Sequence, residues 1–224
     1  MDEQFWLERW ESGQIGFHLD RPNPHLQRFA EHLELPRGSA VFVPLCGKTL
    51  DMVWLAQQGL AVIGVEWSEA ALHAFFATQK LEPRRVREAD LEAWRAGPYT
   101  LYRGDYFRLE PDQLAACHAF YDRAALIALP QGRRVAYVAH LHSLMPPRHR
   151  GLLISVEYAQ TQMQGPPFSV PEAEARALYT PHWDVECLHA EDALAGNPRF
   201  AERGLDSFWE KVFLLRAREG KGNR

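Results

Sequence analysis

An α/β fold with a right-handed parallel sheet is what the chain predicts, and three observations carry that prediction. Residues 39–45 (SAVFVPL) and 60–65 (LAVIGV) are apolar runs of strand length, the pattern of strands buried on both faces. Each is followed by residues at helical spacing: Leu50, Val53 and Trp54 after the first, Leu72, Phe75 and Phe76 after the second. The connections are short, and a β-α-β-α order with short loops winds into a right-handed parallel sheet.

The remaining elements follow in order. Phe5, Trp6 and Trp10 form an apolar stripe that predicts a short amphipathic helix over residues 2–10, ending near Ser12-Gly13. Arg21-Pro22-Asn23-Pro24 is a turn that can open a second helix through Leu35. This opening is polar and aromatic rather than β-like, so residues 1–38 read as a helical cap on a sheet domain spanning 39–224, the whole a single domain. Gly59 supplies the stop of the first sheet-flanking helix, and Ser68 caps a second that runs to Thr78. Residues 84–94 are charged and read as a surface connection. Residues 99–103 form a third strand closed by Gly104-Asp105, and 117–122 a fourth. Residues 130–145 predict a helix with Val135, Val138, Leu141, Leu144 and Met145 on one face. Residues 151–157 give a fifth strand, 164–171 a proline-stiffened loop, and 182–188 and 208–215 two closing strands around a charged excursion.

Composition excludes several classes. The 224 residues carry a net charge of −4, too little positive charge for a nucleic-acid binder, which needs a concentrated basic face. Of the 25 basic residues, 21 are Arg and four are Lys. No apolar run approaches the ~20 residues of a membrane span, and the acidic start Met1-Asp2-Glu3-Gln4 is unlike a secretory signal. A cytoplasmic location is therefore expected. Cys46, Cys117 and Cys187 form no CxxC pair and read as reduced, mostly buried thiols.

The chemistry concentrates at three strand ends: Val43-Pro44-Leu45-Cys46-Gly47-Lys48 after the first strand, Glu66 at the tip of the second, and Gly104-Asp105 after the third. In open α/β sheets, ligands bind outside the carboxyl ends of the strands, where a glycine-bearing loop lets a ligand approach backbone. An acid about 20 positions later accepts from both ribose hydroxyls, and Glu66 falls at that place. An Asp at the third tip can accept from an adenine amine, so the three tips outline an adenosine-shaped slot. A dinucleotide would need G-x-G-x-x-G, but the loop holds one glycine; a P-loop would need glycine where Phe42 stands. S-adenosylmethionine, an adenosine ligand without phosphates, needs neither. The ten histidines predict no metal site: His140-x-His142 with His149, and His182 with His189, lack a carboxylate-backed spacing such as H-E-x-x-H. Cys46 has no His/Asn arrangement near it and reads as a small packing residue.

The segments at 6–17, Val43-Pro-Leu-Cys-Gly-Lys48, Val62-Ile-Gly-Val-Glu66, Tyr121-Asp-Arg-Ala-Ala-Leu126, Gly165-Pro-Pro-Phe-Ser-Val-Pro171 and Phe208-Trp-Glu-Lys211 resemble the thiopurine S-methyltransferases, especially the short bacterial form. The resemblance is collinear over nearly the whole chain. It implies a Rossmann-like class I S-adenosylmethionine-dependent methyltransferase, with a seven-stranded, mostly parallel sheet whose last strand is antiparallel. It implies methylation of the sulfur of aromatic and heterocyclic thiols, and its bacterial members are associated with selenium and tellurium detoxification. By the same resemblance Trp10 covers the cofactor, Leu45 and Glu66 bind it, Asp105 and Tyr106 contact its adenine, and Arg123 lines both the cofactor and the acceptor side. Phe17 and Arg199 fall where the family places an aromatic wall and a second arginine, with Arg203 a competing choice for the latter. An aromatic face such as that of Trp10 attracts a sulfonium cation and excludes water. A thiol near an arginine is held as thiolate, so no dedicated catalytic base is expected. The implied partner is a small-molecule thiol or metalloid acceptor, with no nucleic acid and no membrane, and the implied state is a monomer. Two other readings stay open at this point: a binding module on the same fold without turnover, and a nucleotide-dependent oxidoreductase, against which the missing glycines count.

Overall fold

The computed structural model describes residues 3–16 and 18–218. Its strands, in chain order, are β1 (Ala40–Val43), β2 (Ala61–Glu66), β3 (Arg84–Glu88), β4 (Leu91–Ala96), β5 (Tyr99–Arg103), β6 (Cys117–Arg123), β7 (Arg150–Glu157), β8 (Trp183–Asp192) and β9 (Trp209–Ala217). They form one sheet in the order β3-β4-β5-β2-β1-β6-β7-β9-β8. The five central strands, β5, β2, β1, β6 and β7, are parallel. β9 lies antiparallel to β7, and β8 antiparallel to β9.

The fold class is the expected one, but the sheet has nine strands where seven were anticipated. The two extra strands are β3 and β4, a hairpin in residues 84–96 that pairs antiparallel onto β5. That stretch is no surface connection. Leu91, Ala93 and Trp94 are buried, while β3 on the rim exposes Arg84, Arg85 and Arg87. Charge on an outermost strand discourages edge-to-edge pairing with another sheet, and the same charge hid the strand in the sequence. The Arg85 guanidinium lies over the Trp94 ring, 3.7 Å from its centroid, and shields it from solvent.

Helices α1 (Glu3–Glu11), α2 (Pro24–Phe29), α3 (Leu50–Gln57), α4 (Glu69–Thr78), α5 (Gln131–Leu144), α6 (Glu172–Tyr179) and α7 (Pro198–Ala201) flank the sheet. The second helix is shorter than expected, passing into a 3-10 turn at Ala30–Leu33. Side-chain caps fix the starts of three: Asn23 accepts from the His25 and Leu26 amides, Thr49 from Asp51, and Ser68 from Ala71. In α5 the buried stripe is Arg134, Tyr137, Val138, Leu141 and Leu144, whereas Val135 is 69% exposed. Arg134 takes the inward place because it has partners there: it donates to the Leu129 carbonyl at 3.0 Å and to both Glu174 oxygens at 2.8 Å. That ion pair ties α5 to α6, a helix the sequence pattern did not announce.

Alternation along the central strands divides the core into two layers. Ala40, Phe42, Phe120 and Leu153 face one layer, with Tyr137, Trp183 and Phe213; Val41, Val43, Tyr121, Leu152 and Ile154 face the other, with Met52, Leu55 and Phe75. The N-terminal segment is joined to the sheet by a buried carboxylate: Asp51 accepts from the Asn23 amide at 2.6 Å and from the Tyr121 hydroxyl at 3.0 Å.

β6 and β7 fit closely at Phe120, whose ring covers Gly151 on the paired strand. A Cβ at position 151 would lie 2.1 Å from the Phe120 Cζ, and that ring is backed by His149 and Trp183. Gly151→Ala is therefore expected to destabilise the fold by about 1–3 kcal/mol, read as a lowered midpoint in urea unfolding with an unchanged slope.

Candidate active site

A cavity of about 370 Å3 opens at the carboxyl ends of β1, β2, β5 and β6, within the usual range of small-molecule sites. Its floor is built from backbone laced to β2: the Cys46 amide donates to the Val65 carbonyl at 2.9 Å, and the Gly104 amide to the Glu66 carbonyl at 3.0 Å. The loops after β1 and β5 are thus both referenced to the tip of β2.

Glu66 is the organising side chain. It is 7% exposed, and its carboxylate accepts from the Gly47 amide and from the Ser68 amide, each at 2.8 Å. Burial pushes its pKa up, while the backbone donors at Ser68, Gly47 and Trp67 hold it down. Each oxygen retains acceptor capacity beyond its backbone bond. The loop reaches this carboxylate through two left-handed residues, Leu45 at φ 46° and Gly47 at φ 53°. Gly47 is needed twice over: for that conformation, and because a Cβ there would lie 2.9 Å from Cζ2 of Trp10. Trp10, on α1, thereby lies against the loop and lines the cavity, with the Lys48 ammonium 6.0 Å from its ring centroid.

Asp105 and Tyr106 also line the cavity. The Asp105 carboxylate accepts from the Phe107 amide at 2.9 Å and so caps a 3-10 turn. Tyr106 is 3% exposed; its hydroxyl donates to the Tyr137 carbonyl and its ring packs against Phe42, Tyr137 and His140. It can therefore offer a ligand only ring surface and backbone. Arg123, at the end of β6, faces the same space, and its charge with that of Lys48 adds to burial in lowering the His18 pKa.

Arg199 and Arg203, alternatives in the sequence, both line the cavity. Arg199 donates to the Gly16 carbonyl, joining α7 to the segment after α1. Burial, then the charges of Arg123 and Arg203, pull the Arg199 guanidinium below its usual pKa, with Glu210 opposing. Three guanidiniums so placed favour an anionic guest. Phe17 lies outside the described residues. Sequence reasoning did not single out Phe107, Ile127, Arg133, Tyr137 or Phe200 as lining residues, because they come from four separate segments; Phe208 lines it too, and the Phe208-Trp-Glu-Lys211 segment was its signal. Pro166 and Pro167 line it as well, and the Gly-Pro-Pro-Phe segment was their signal. Cys46 is buried, packs against Gly64, and has its thiol pKa pushed well up by burial and by Glu66, the reverse of an activated nucleophile.

Comparison with known proteins identifies the family and the fold. A family model described as thiopurine S-methyltransferase (TPMT) matches residues 1–218. The thiopurine S-methyltransferase of Pseudomonas paraeruginosa is 49% identical over 215 residues, covering 96% of this chain and 99% of the relative. That of Nitrosospira multiformis is 45% identical over 218 residues, covering 97% and 99%. Among solved structures, Burkholderia thailandensis 1,6-didemethyltoxoflavin-N1-methyltransferase, bound to 1,6-didemethyltoxoflavin and S-adenosylhomocysteine, superposes with a TM-score of 0.67 at 17% identity, covering 97% of this chain and 87% of that one. A TehB-like methyltransferase from Corynebacterium glutamicum gives a TM-score of 0.57 at 12% identity, covering 96% and 98%. These structural likenesses show the class I methyltransferase fold.

One buried acid beneath the site carries a pH signature. Asp122, next to Arg123, is fully buried, accepts from the Leu126 amide at 3.1 Å and the Tyr137 hydroxyl at 2.7 Å, and is pushed up to about 6 by burial. A carboxyl whose folded pKa exceeds its unfolded value stabilises most below the unfolded pKa, and that contribution is lost as pH rises through the folded pKa. The stability difference between the wild type and Asp122→Asn is expected to fall by roughly 2 kcal/mol between pH 4 and pH 7. Chemical denaturation of both proteins across that range checks it, a pH-independent difference being the contrary result.

Proposed function

The chain belongs to the thiopurine S-methyltransferase family, and from that premise we infer that it transfers a methyl group from S-adenosylmethionine to the sulfur of an aromatic or heterocyclic thiol held as its thiolate. The observation that carries this reading is that one cavity holds both the strand-tip carboxylates and the arginine group.

The residues present suit the cofactor chemically. Glu66 and Asp105 offer carboxylate oxygens to hydroxyl and amine donors, the one-glycine loop suits a ligand without phosphates, and the Trp10 face suits a cation. When bound, S-adenosylmethionine supplies a methyl group on a positively charged sulfur. Glu66 and Leu45 hold the sugar side, Asp105 and the Tyr106 ring the base, and Trp10 excludes water over the slot.

On the acceptor side, Arg123 and Arg199, joined by Arg203, lower the pKa of an incoming thiol, so its proton leaves to solvent and no protein base is required. Phe200 and Phe208, stacked with centroids 4.1 Å apart, keep the acceptor ring in a dry, oriented position, and holding two reactants in line is itself a large part of such catalysis. The same cationic wall suits selenium and tellurium oxyanions, so metalloid detoxification is part of the reading. The cap formed by residues 1–38 closes over the sheet domain. We place the enzyme in the cytoplasm as a monomer that contacts neither nucleic acid nor membrane. The net charge of −4 counts against a nucleic-acid partner, and among the described residues no helix is long and apolar enough to cross a membrane. A binding module without turnover is not favoured, since the full-length relatives are named for the activity.

Isothermal titration with S-adenosylmethionine tests the cofactor assignment. Hydrogen bonds to a charged group contribute about 1.5–3 kcal/mol each, so Glu66→Ala is expected to weaken binding ~100-fold or more, with Glu66→Gln intermediate. Unchanged affinity in both removes Glu66 from the site. A methyl-transfer panel of thiopurines, thiophenols, selenite and tellurite then tests the acceptor. Product is expected with the aromatic thiols, and its absence at saturating cofactor would overturn the reading.

A further inference from the structure

At the edge of the cavity, which Glu210 lines, the described residues bring two histidines and two glutamates together where α2, β8 and β9 meet. His25, on α2, is 4% exposed. Its Nε2 lies 3.0 Å from Oε2 of Glu210 and 3.3 Å from Oε1 of Glu191. His189 Nε2 lies 3.5 Å from the other Glu191 oxygen; it is shielded from solvent and makes no hydrogen bond. The imidazole centroids of His25 and His189 are 5.5 Å apart, and one ligand atom from each of His25, His189 and Glu191 falls within 4.8 Å of the others.

Two backbone features make this arrangement specific. The β8–β9 register shifts between Cys187 and His189, and beyond that bulge His189 and Glu191, two residues apart, share a face of the strand. Beyond the bulge Glu191 stands directly opposite Glu210. Like charges facing each other across an antiparallel pair are destabilising, and a cation between them reverses the sign of that interaction. Three of the contacts, at 3.0, 3.3 and 3.5 Å, lie close to the ~3.3 Å that separates ligands 2.0–2.1 Å from a tetrahedral zinc. Mixed imidazole and carboxylate donors select a zinc-class transition metal over magnesium or calcium, which take oxygen ligands.

We propose that His25, His189 and Glu191, with Glu210 beside them, form a structural site for one divalent transition-metal ion of the zinc class, pinning α2 to the closing hairpin of the sheet. No local spacing could have shown it, since His25 and His189 are far apart in the chain.

The test uses the full chain, freed of metal by chelator and dialysis, then titrated separately with Zn2+ by calorimetry and with Co2+ by visible absorption. One equivalent is expected to bind at micromolar or tighter affinity, with the intensified visible bands of low-coordinate cobalt and a rise of several degrees in unfolding temperature. His189→Ala is expected to weaken binding beyond the ~10–100-fold that loss of a supporting contact costs. Glu191→Gln alters an exposed side chain that the fold does not need, and is expected to weaken binding at least 10-fold. The proposal is overturned if the wild type binds no stoichiometric ion. It is equally overturned if both variants bind as the wild type does, which would locate the ion elsewhere, such as at the stacked His142–His182 pair.

Discussion

The site depends on one buried carboxylate held by backbone. Glu66 ends β2, and its two oxygens accept from the loop after β1, through Gly47, and from the start of α4, through Ser68. Burying a charge is unfavourable unless donors surround it, and here those donors belong to segments whose positions define the slot. If the carboxylate moves, the loop loses its anchor, α4 loses contact with the tip of β2, and Trp10 loses the glycine surface against which it lies. The geometry of this end of the cavity is set by the same bonds that make the charge tolerable, which is how a pocket can be rigid before anything enters it.

Charge is sorted around that anchor. The acids Glu66 and Asp105 stand at the strand tips, while Arg123, Arg199 and Arg203 converge on the same cavity from β6, α7 and the turn after it. Beneath them two further carboxylates, Asp51 and Asp122, are buried and hydrogen-bonded to tyrosine hydroxyls, Tyr121 and Tyr137 respectively. Asp51 joins the N-terminal segment to β6, and Asp122 holds the turn that follows Arg123. The surplus of arginine over lysine thus has a local meaning at three positions, where a planar, always charged group is needed, and at Arg134, where the fork bridges a carbonyl and a carboxylate inside the protein.

What could be read in advance was whatever the chain encodes locally. β1 and β2 were legible because strands covered on both faces must be continuously apolar, and Gly47 with Glu66 was legible because loop and strand tip lie 19 residues apart in one β-α-β unit. The β3–β4 hairpin was not, because its outer strand spends its alternation on arginines facing water. Val135 misled because it is apolar and near the helical stripe, yet the inward place belongs to Arg134, whose partner Glu174 is 40 residues away. Arg203 and Phe208, named only through the family resemblance, and Phe200, not named at all, reach the cavity through the path of the chain after β8. Position in a closed pocket is a tertiary property, and residues from separate segments share no spacing that reveals it.

The bond from Arg199 to Gly16 spans 183 residues and ends on a backbone carbonyl. A carbonyl is present whatever residue occupies the position, and a Cβ at Gly16 would meet the guanidinium only at an ordinary 3.6 Å. Inherited substitutions at position 16 therefore leave the acceptor of this latch intact. A change of side chain at that position thus leaves in place the bond that joins the first segment to α7.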